Sequence, residues 1–497
     1  MERAADKTAA RFVLRICHAF AVNLQPDSHN RVLSRFYGCC EKYLDCRQGP
    51  KGPFVPLAKI WYNVRCQDRK ILQMATRRHG MDMLSRRNFI GLGGGAAAFA
   101  AMRAFGMIGA MPVYPGWKPG ELDIHFIQTG VGEQTFFILP DGTTILLDCG
   151  DAYRPQYLQH IPRVPSPERL GGEWTSRYVQ RLVKECMIDY FLLSHWHSDH
   201  CGGPNLRSKT TADGRKVCGV TLFAEDFGFR HYFDHQYPHA GERSFGQSPD
   251  SFKMMQEWIP YMHDKCGMQA HAFEVGAVNQ IAMLRDPKPY ADTFEIRNLF
   301  ANAIYWDGKG GTVDYAPEYV KRNPKYRGKV AENSVSMGIR IRYGNFSAYF
   351  GGDIDFPDYE ARLGPIVGPV DVCKMNHHGC PSSMGAPFCR EVKAQAYMSS
   401  VWSPNQVTDK NLVNMASRDL YAGERFVFPG FMPEVCRTQY KGRDFMADIV
   451  DVAGHRVFKV APGGKTFEAF VLSAWDETMS ILWRKTFTSG ANAQAAV

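Results

Sequence analysis

Four side chains able to bind a divalent cation fall within six positions in FLLSHWHSDHCGG (191–203): His195, His197, Asp199 and His200. Imidazole nitrogen and carboxylate oxygen are the donors expected of zinc and related ions. One histidine beside a strand is ordinarily a packed or solvated residue, and two at alternate positions arise by chance in a chain with 16 of them. Four donors followed by Gly202-Gly203 point instead to a metal centre. The chemistry of such a centre is hydrolysis, because divalent cations acidify a shared water and polarise the scissile carbonyl or phosphoryl group. It needs no Ser or Cys nucleophile, and no such triad can be read in the sequence.

The donors depend on what precedes them. Tyr190–Leu193 is short, apolar and aromatic, which predicts a buried strand. The cluster then lies in the loop where that strand stops, a place where rigid scaffolds commonly carry functional groups. The arrangement recurs. ELDIHFIQTGVGEQTFFILPDGTTILLDCGD (121–151) predicts strands over Asp123–Ile127 and Gln134–Leu139, with a turn at Pro140-Asp141-Gly142. A further strand ends at Asp148, a candidate to orient a ligating histidine. NSVSMGIRIRYGNFSAYFGGDIDF (333–356) reads as two strands, the second ending at Asp353. VDVCKMNHHGCPSS (370–383) is a strand over Val370–Met375 that delivers His377 and His378.

This ordered series of strand-Asp, HxHxDH, Asp and His resembles the metallo-β-lactamase superfamily. Within it, the chain looks most like the extracytoplasmic ComEC-type domain of competence DNA-uptake proteins. The 121–151 segment, HWHSDHCGG, ENSVS (332–336), FGGD (350–353) and CKMNHHG (373–379) carry the resemblance, which spans roughly 121–405. It implies an α/β fold, a four-layer αβ/βα sandwich with the metal site along one edge. It also implies that His195 and His197 hold one metal, Asp199 and His200 a second, and that Asp353 bridges them. His378 would complete the second site, His377 would touch substrate or donate a proton, and Asp148 and Asn333 would support the ligands. Asp199 and His377 are thus the expected catalytic groups. Zinc, as one or two ions, is the expected cofactor, and manganese fits the same donors. The sequence also departs from the family. The third histidine of the first metal should fall near Asn333 and Ser334, where there is none, and Asn is a poor zinc ligand. The usual GQGD turn reads GVGE (Gly130–Glu133), and the Ser after HHG is Cys380. Either a histidine from elsewhere fills the gap, or the first site is weak, or one metal binds tightly.

Composition is that of a globular protein, with 45% hydrophobic and 22% charged residues. The net charge of +9 suggests a polyanion partner until it is located: residues 1–80 carry 15 Lys and Arg against 6 Asp and Glu, and 81–497 carries 44 of each. A neutral main body argues against tight nucleic-acid binding. Cysteines show no CxxC pair and no disulfide framework. SRRNFIGLGGGAAAFAAM (85–102) resembles a twin-arginine export signal, and is too short and Gly-rich to read as a membrane span. Such signals begin proteins, so translation is expected to start at Met81 or Met83, with 1–80 a mis-assigned or disordered extension. The expected organisation is a signal at 81–112, a metallo-β-lactamase-like domain at 121–475 with an insert at 204–332, and a polar tail at 476–497. The insert holds FAEDFGFRHYFDHQYPH (223–239), read as a packed aromatic segment, with a lid or a ligand donor (His231, His235, His239) as the functional alternative. VKRNPKYRGK (320–329) reads as a solvated basic loop that could contact phosphates. A hairpin is predicted over Arg456–Val460 and Thr466–Leu472. The expectation is an exported, extracytoplasmic or periplasmic hydrolase of a phosphodiester, touching membrane only if the signal is retained. A β-lactam- or lactone-type ester or amide hydrolase is the alternative, and a metal-holding binding protein without turnover a third.

Overall fold

A computed structural model describes residues 111–494 apart from 154, 155, 157–159, 240–243 and 279. The 1–80 extension and nearly all of the expected export signal lie outside the described residues.

Apolar runs that alternate inward and outward, with both faces buried, build two packed sheets. In Thr135–Ile138 the ring of Phe137 points between the sheets, whereas Phe136 and Ile138 meet helices on the outside. Strands covered on both faces read as continuous hydrophobic stretches, as these do. The first sheet has nine strands in the order Ile481–Thr488, Thr466–Leu472, His455–Val460, Leu122–Phe126, Thr135–Ile138, Thr144–Leu147, Met187–Leu193, Gly228–Asp234 and Gln269–Ala272. The second has eight: Thr312–Asp314, Ile304–Trp306, Phe294–Ala301, Gly338–Tyr343, Phe346–Gly351, Val372–Lys374, Ala396–Met398 and Phe426–Phe428. Each is antiparallel at first and parallel at its end. The change comes after Thr144–Leu147 in one and after Phe346–Gly351 in the other.

Helices Gly171–Val179, Gly219–Phe223 and Pro249–Cys266 pack on the outer face of the first sheet. Helices Pro357–Val367, Ala386–Val392 and Asp409–Ala416 pack on that of the second. The result is a four-layer αβ/βα sandwich. Its seam is aromatic: Phe350 of the second sheet packs against Phe137 and Phe126 of the first, with ring centroids 4.8 and 5.8 Å apart.

Two boundaries differ from the sequence reading. The expected insert at 204–332 is not peripheral, since Gly228–Asp234 and Gln269–Ala272 extend the first sheet and Phe294–Ala301 lies inside the second. Its aromatics are core residues: Phe229, Tyr232 and Phe233 are buried. The expected tail at 476–497 contributes the edge strand Ile481–Thr488, paired antiparallel with Thr466–Leu472. Buried Phe487 and partly buried Trp483 face the space between the sheets, whereas Ile481, beyond a bulge, packs on the outer side. The predicted hairpin forms, as His455–Val460 with Thr466–Leu472. Among the described residues no helix is long and apolar enough to cross a membrane, and all nine described cysteines are free thiols.

Replacing Phe350 by Ala would open a cavity at the seam and cost about 3–5 kcal/mol. Urea unfolding should show that loss as a lower midpoint with little change in slope.

Candidate metal centre

The candidate ligands sit where strands of both sheets stop, on one edge of the sandwich. Asp148 follows Thr144–Leu147, His195 to His200 follow Met187–Leu193, Asp353 follows Phe346–Gly351, and His377 and His378 follow Val372–Lys374. Main-chain bonds interlock the loops. Glu133 N–H donates to Asp199 O (2.8 Å), Cys149 N–H to His200 O (2.8 Å) and Asp151 N–H to Ser198 O (3.1 Å). Gly150 lies so close to this short helix, Ser198–Cys201, that a Cβ would meet Asp199 O at 1.7 Å. Only glycine permits that approach. The two sheets are stitched at the same edge by Met337 N–H to Ser194 O (3.0 Å) and by Glu332 Oε1, which accepts the Trp196 N–H (2.7 Å).

Asp148 adopts a left-handed backbone (φ 56°) at the strand's end. Its Oδ1 accepts the Ser194 N–H, and its Oδ2 accepts from the Ser194 hydroxyl and from His200 Nδ1, all at 2.8 Å. With Nδ1 so engaged, His200 presents Nε2 to Asp353 Oδ2 at 3.1 Å. His378 is flanked similarly: Nδ1 lies 3.1 Å from Glu133 Oε2, and Nε2 lies 3.2 Å from Asp353 Oδ2 and 3.4 Å from Asp199 Oδ2. Neither nitrogen of His378 makes a geometrically sound hydrogen bond, although the ring is wholly buried. A nitrogen aimed at two carboxylates without a hydrogen bond is what a cation-binding position requires. Glu133, His200, Asp353 and His378 offer donor atoms within 4.8 Å of one another. On the other side of Asp353, His195 Nε2 and His197 Nδ1 converge at 3.0 Å, and His195 Nε2 lies 4.0 Å from Asp353 Oδ2. Asn333 braces rather than ligates: its amide Nδ2 meets Asp355 Oδ2 at 3.0 Å and His377 Nε2 at 3.3 Å.

The electrostatics suit a cation. Glu133, Asp148, Asp199 and Asp353 are all buried, and Lys374, also buried, faces Asp353 Oδ1 at 3.3 Å and Glu133 Oε2 at 3.4 Å. Burial alone would push the His200 pKa down, but the Asp353 and Asp148 carboxylates raise it to about 10. His378 is likewise carried well above the ordinary range against burial by Asp353, Asp199 and Glu133. His195 goes the other way: burial, reinforced by His200 and His197, pushes its pKa well below the ordinary range and favours the neutral ring.

Sequence reasoning passed over Glu133, Lys374, Glu332 and Asp355. The first occupies the acidic position of the altered GVGE turn. Lys374 had a visible signal, a charge between the apolar Cys373 and Met375 in the predicted strand. The aromatic segment of the insert places its histidines elsewhere. His231 pairs with His271 (3.0 Å), His239 with Asp234 (2.8 Å), and His235 packs on Trp196 (ring centroids 4.3 Å).

Residues 129–215 match the family described as the metallo-beta-lactamase superfamily, and the chain carries a domain of that superfamily there. Compared with curated proteins, the chain matches none.

Removing the Asp148 carboxylate (Asp148→Ala) should weaken zinc binding about 10- to 100-fold through loss of His200 orientation. Competition with a chromogenic chelator reads this directly. Because the proton raised onto His200 must leave when a cation binds, affinity should climb with pH by about tenfold per unit up to about 10, and more steeply wherever the His378 proton leaves as well. Calorimetry in buffers of different ionisation enthalpy measures the protons released.

Proposed function

We propose that this protein is an exported metal-dependent hydrolase acting on a phosphodiester. The observation that carries the reaction class is the convergence of histidines from two sheets on the buried Asp353 carboxylate, between His200 and His378 on one side and His195 on the other. Divalent cations held there would supply Lewis acidity and an acidified water. The chain's own groups do the rest. Asp148 orients His200, Glu133 lies 3.1 Å from His378 Nδ1, and Lys374 balances the charge of Glu133 and Asp353. Burial opposes ionisation of Asp199, yet His378 and His200 keep its carboxyl below the usual range. Asp199 is therefore an ionised acceptor beside His378 Nε2 (3.4 Å), and we assign it the role of positioning the attacking water.

The phosphodiester reading rests on the ComEC-type resemblance and on the basic loop 320–329. Tyr326 of that loop packs on Phe245 (5.7 Å) with Lys325 Nζ 4.8 Å from its ring. His197 Nε2 faces the carbonyl of the adjacent Gly246 at 3.2 Å. A lysine-bearing aromatic wall beside the half-exposed His197 suits an anionic substrate. Export is proposed from the SRRNFIGLGGG segment alone.

Zinc- or manganese-loaded protein should hydrolyse bis-p-nitrophenyl phosphate and leave nitrocefin intact, with the rate abolished by EDTA. Asp199→Ala should lower the diesterase rate at least about 100-fold, the scale of a lost positioning group. An unchanged rate in that variant, or turnover of nitrocefin alone, would refute the reading.

A further inference from the structure

A cavity of about 120 Å³ lies where the turn between Gly338–Tyr343 and Phe346–Gly351 meets the start of Val372–Lys374. Arg340, Arg342, Ser347, Pro369, Val370 and Asp371 line it. The metal ligands follow the other ends of the same strands, so the two places are roughly 15–20 Å apart along the sheet. We propose that this cavity binds a phosphate-type oxyanion between the guanidinium groups of Arg340 and Arg342. The assignment does not depend on the metal centre or on the hydrolase reading.

The strand pattern concentrates positive charge here. Ile339 and Ile341 face the space between the sheets, so Arg340 and Arg342 both point to the outer face. Across the ladder Arg297 stands directly opposite Arg340, and Glu295 opposite Arg342. Like charges in register repel. Glu295 is taken by Arg297 (Nε to Oε1, 3.2 Å), and among the described residues neither Arg340 nor Arg342 forms an ion pair. Three guanidinium groups thus share one face of the ladder with the Glu295 carboxylate.

Arg340 is the fixed half of the site. Its Nη2 donates to the Pro369 carbonyl at 3.4 Å, while its Nε is shut off from solvent and makes no hydrogen bond. A buried donor without an acceptor is costly, and a guanidinium edge matches two oxygens of a phosphate. Burial lowers the Arg340 pKa and Glu295 offsets it only in part, a deficit that an anion's charge would make up. Asp371 is committed elsewhere. Its Oδ1 accepts from Gln395 Nε2 (2.6 Å) and Gly490 N–H (2.7 Å), and its Oδ2 from Ser347 N–H (2.9 Å). The carboxylate in the lining therefore braces the walls, and the exposed Arg342 supplies a second charge at the mouth. The volume is roughly that of four waters at about 30 Å³ each, which is room for a tetrahedral oxyanion.

The test is calorimetric titration of inorganic phosphate into the EDTA-treated full chain, with ionic strength held constant by chloride. The unaltered chain should bind one equivalent saturably. Arg340→Met should weaken binding at least about tenfold, the scale of a lost charge-assisted pair, and Arg342→Met several-fold. Arg340→Lys should recover only part of the loss, because an ammonium lacks the planar fork. Lys253→Met, which removes an exposed charge from helix Pro249–Cys266, should bind as the unaltered chain does. Circular dichroism checks the fold of each variant, and the exposed Arg342 provides one that does not disturb packing. Phenyl phosphate binding more tightly than inorganic phosphate would identify the ligand as an ester, and the reverse order as the free ion; both uphold the proposal. No saturable binding to the unaltered chain would overturn it. So would unchanged affinity in Arg340→Met and Arg342→Met, or an equal loss in Lys253→Met, and each of these leaves the hydrolase reading standing.

Discussion

A carboxylate shut away from water must be neutralised, and Asp353 is such a carboxylate. It is 1% exposed, at the edge where the two sheets meet, with Asp148, Asp199 and Glu133 buried nearby. Desolvating an unpaired charge is prohibitive, so groups of this kind are paired, hydrogen-bonded or bound to a cation. Lys374 is the fixed positive charge facing this cluster, and it answers only part of the negative charge. The remainder falls on histidines whose pKa values rise against burial. Imidazolium at physiological pH is a costly way to balance carboxylates in a dry site. Divalent cations balance them and free the imidazole lone pairs for coordination.

That electrostatic demand explains why the surrounding loops are rigid. Donor positions must hold within a fraction of an ångström for coordination, and side chains on long loops cannot meet that tolerance unaided. Here the tolerance comes from main-chain bonds among three loops, from the Cβ-free approach of Gly150 to Asp199, and from left-handed residues at Asp148, His377 and His378. Each left-handed non-glycine residue costs about 1–2 kcal/mol. The cost is carried by the well-packed layers on either side, whose cores have no part in the chemistry.

The chemical skeleton was legible because its signals are local. Strand ends followed by donors can be seen in HWHSDH, FGGD and NHHG, and the αβ/βα sandwich was implied by the family resemblance those motifs carry. What stayed hidden depends on long-range contact. Glu133 reaches His378 across 245 positions, and Glu332 reaches the Trp196 amide across 136. Nothing near either glutamate in sequence says so. The strands of the expected insert were missed for a different reason. A segment such as GFRHYFD, with Phe229, Tyr232 and Phe233 buried but Arg230 exposed, carries mixed polarity because it lies toward one side of its sheet. Mixed polarity reads as a loop. Ile481–Thr488 was misread likewise: an edge strand needs only one apolar face, and its Lys485 and Arg484 resemble a solvated tail.

The two donor sets also differ in kind. Asp199, His200 and His378 are buried, and each histidine has a carboxylate behind it. His195 is buried too, but its neighbour His197 is only partly buried, and a backbone carbonyl faces its far nitrogen. A carboxylate behind an imidazole raises its basicity and fixes its tautomer, and a neutral partner does so less. The inner set should therefore be the tighter and the outer the more exchangeable. On the hydrolase reading proposed above, a substrate would reach the outer set first, since the partly exposed His197 marks the open side of the edge. Weak binding beside solvent is no defect there: a cation less saturated by its protein ligands keeps a coordination position free for the substrate's own oxygen.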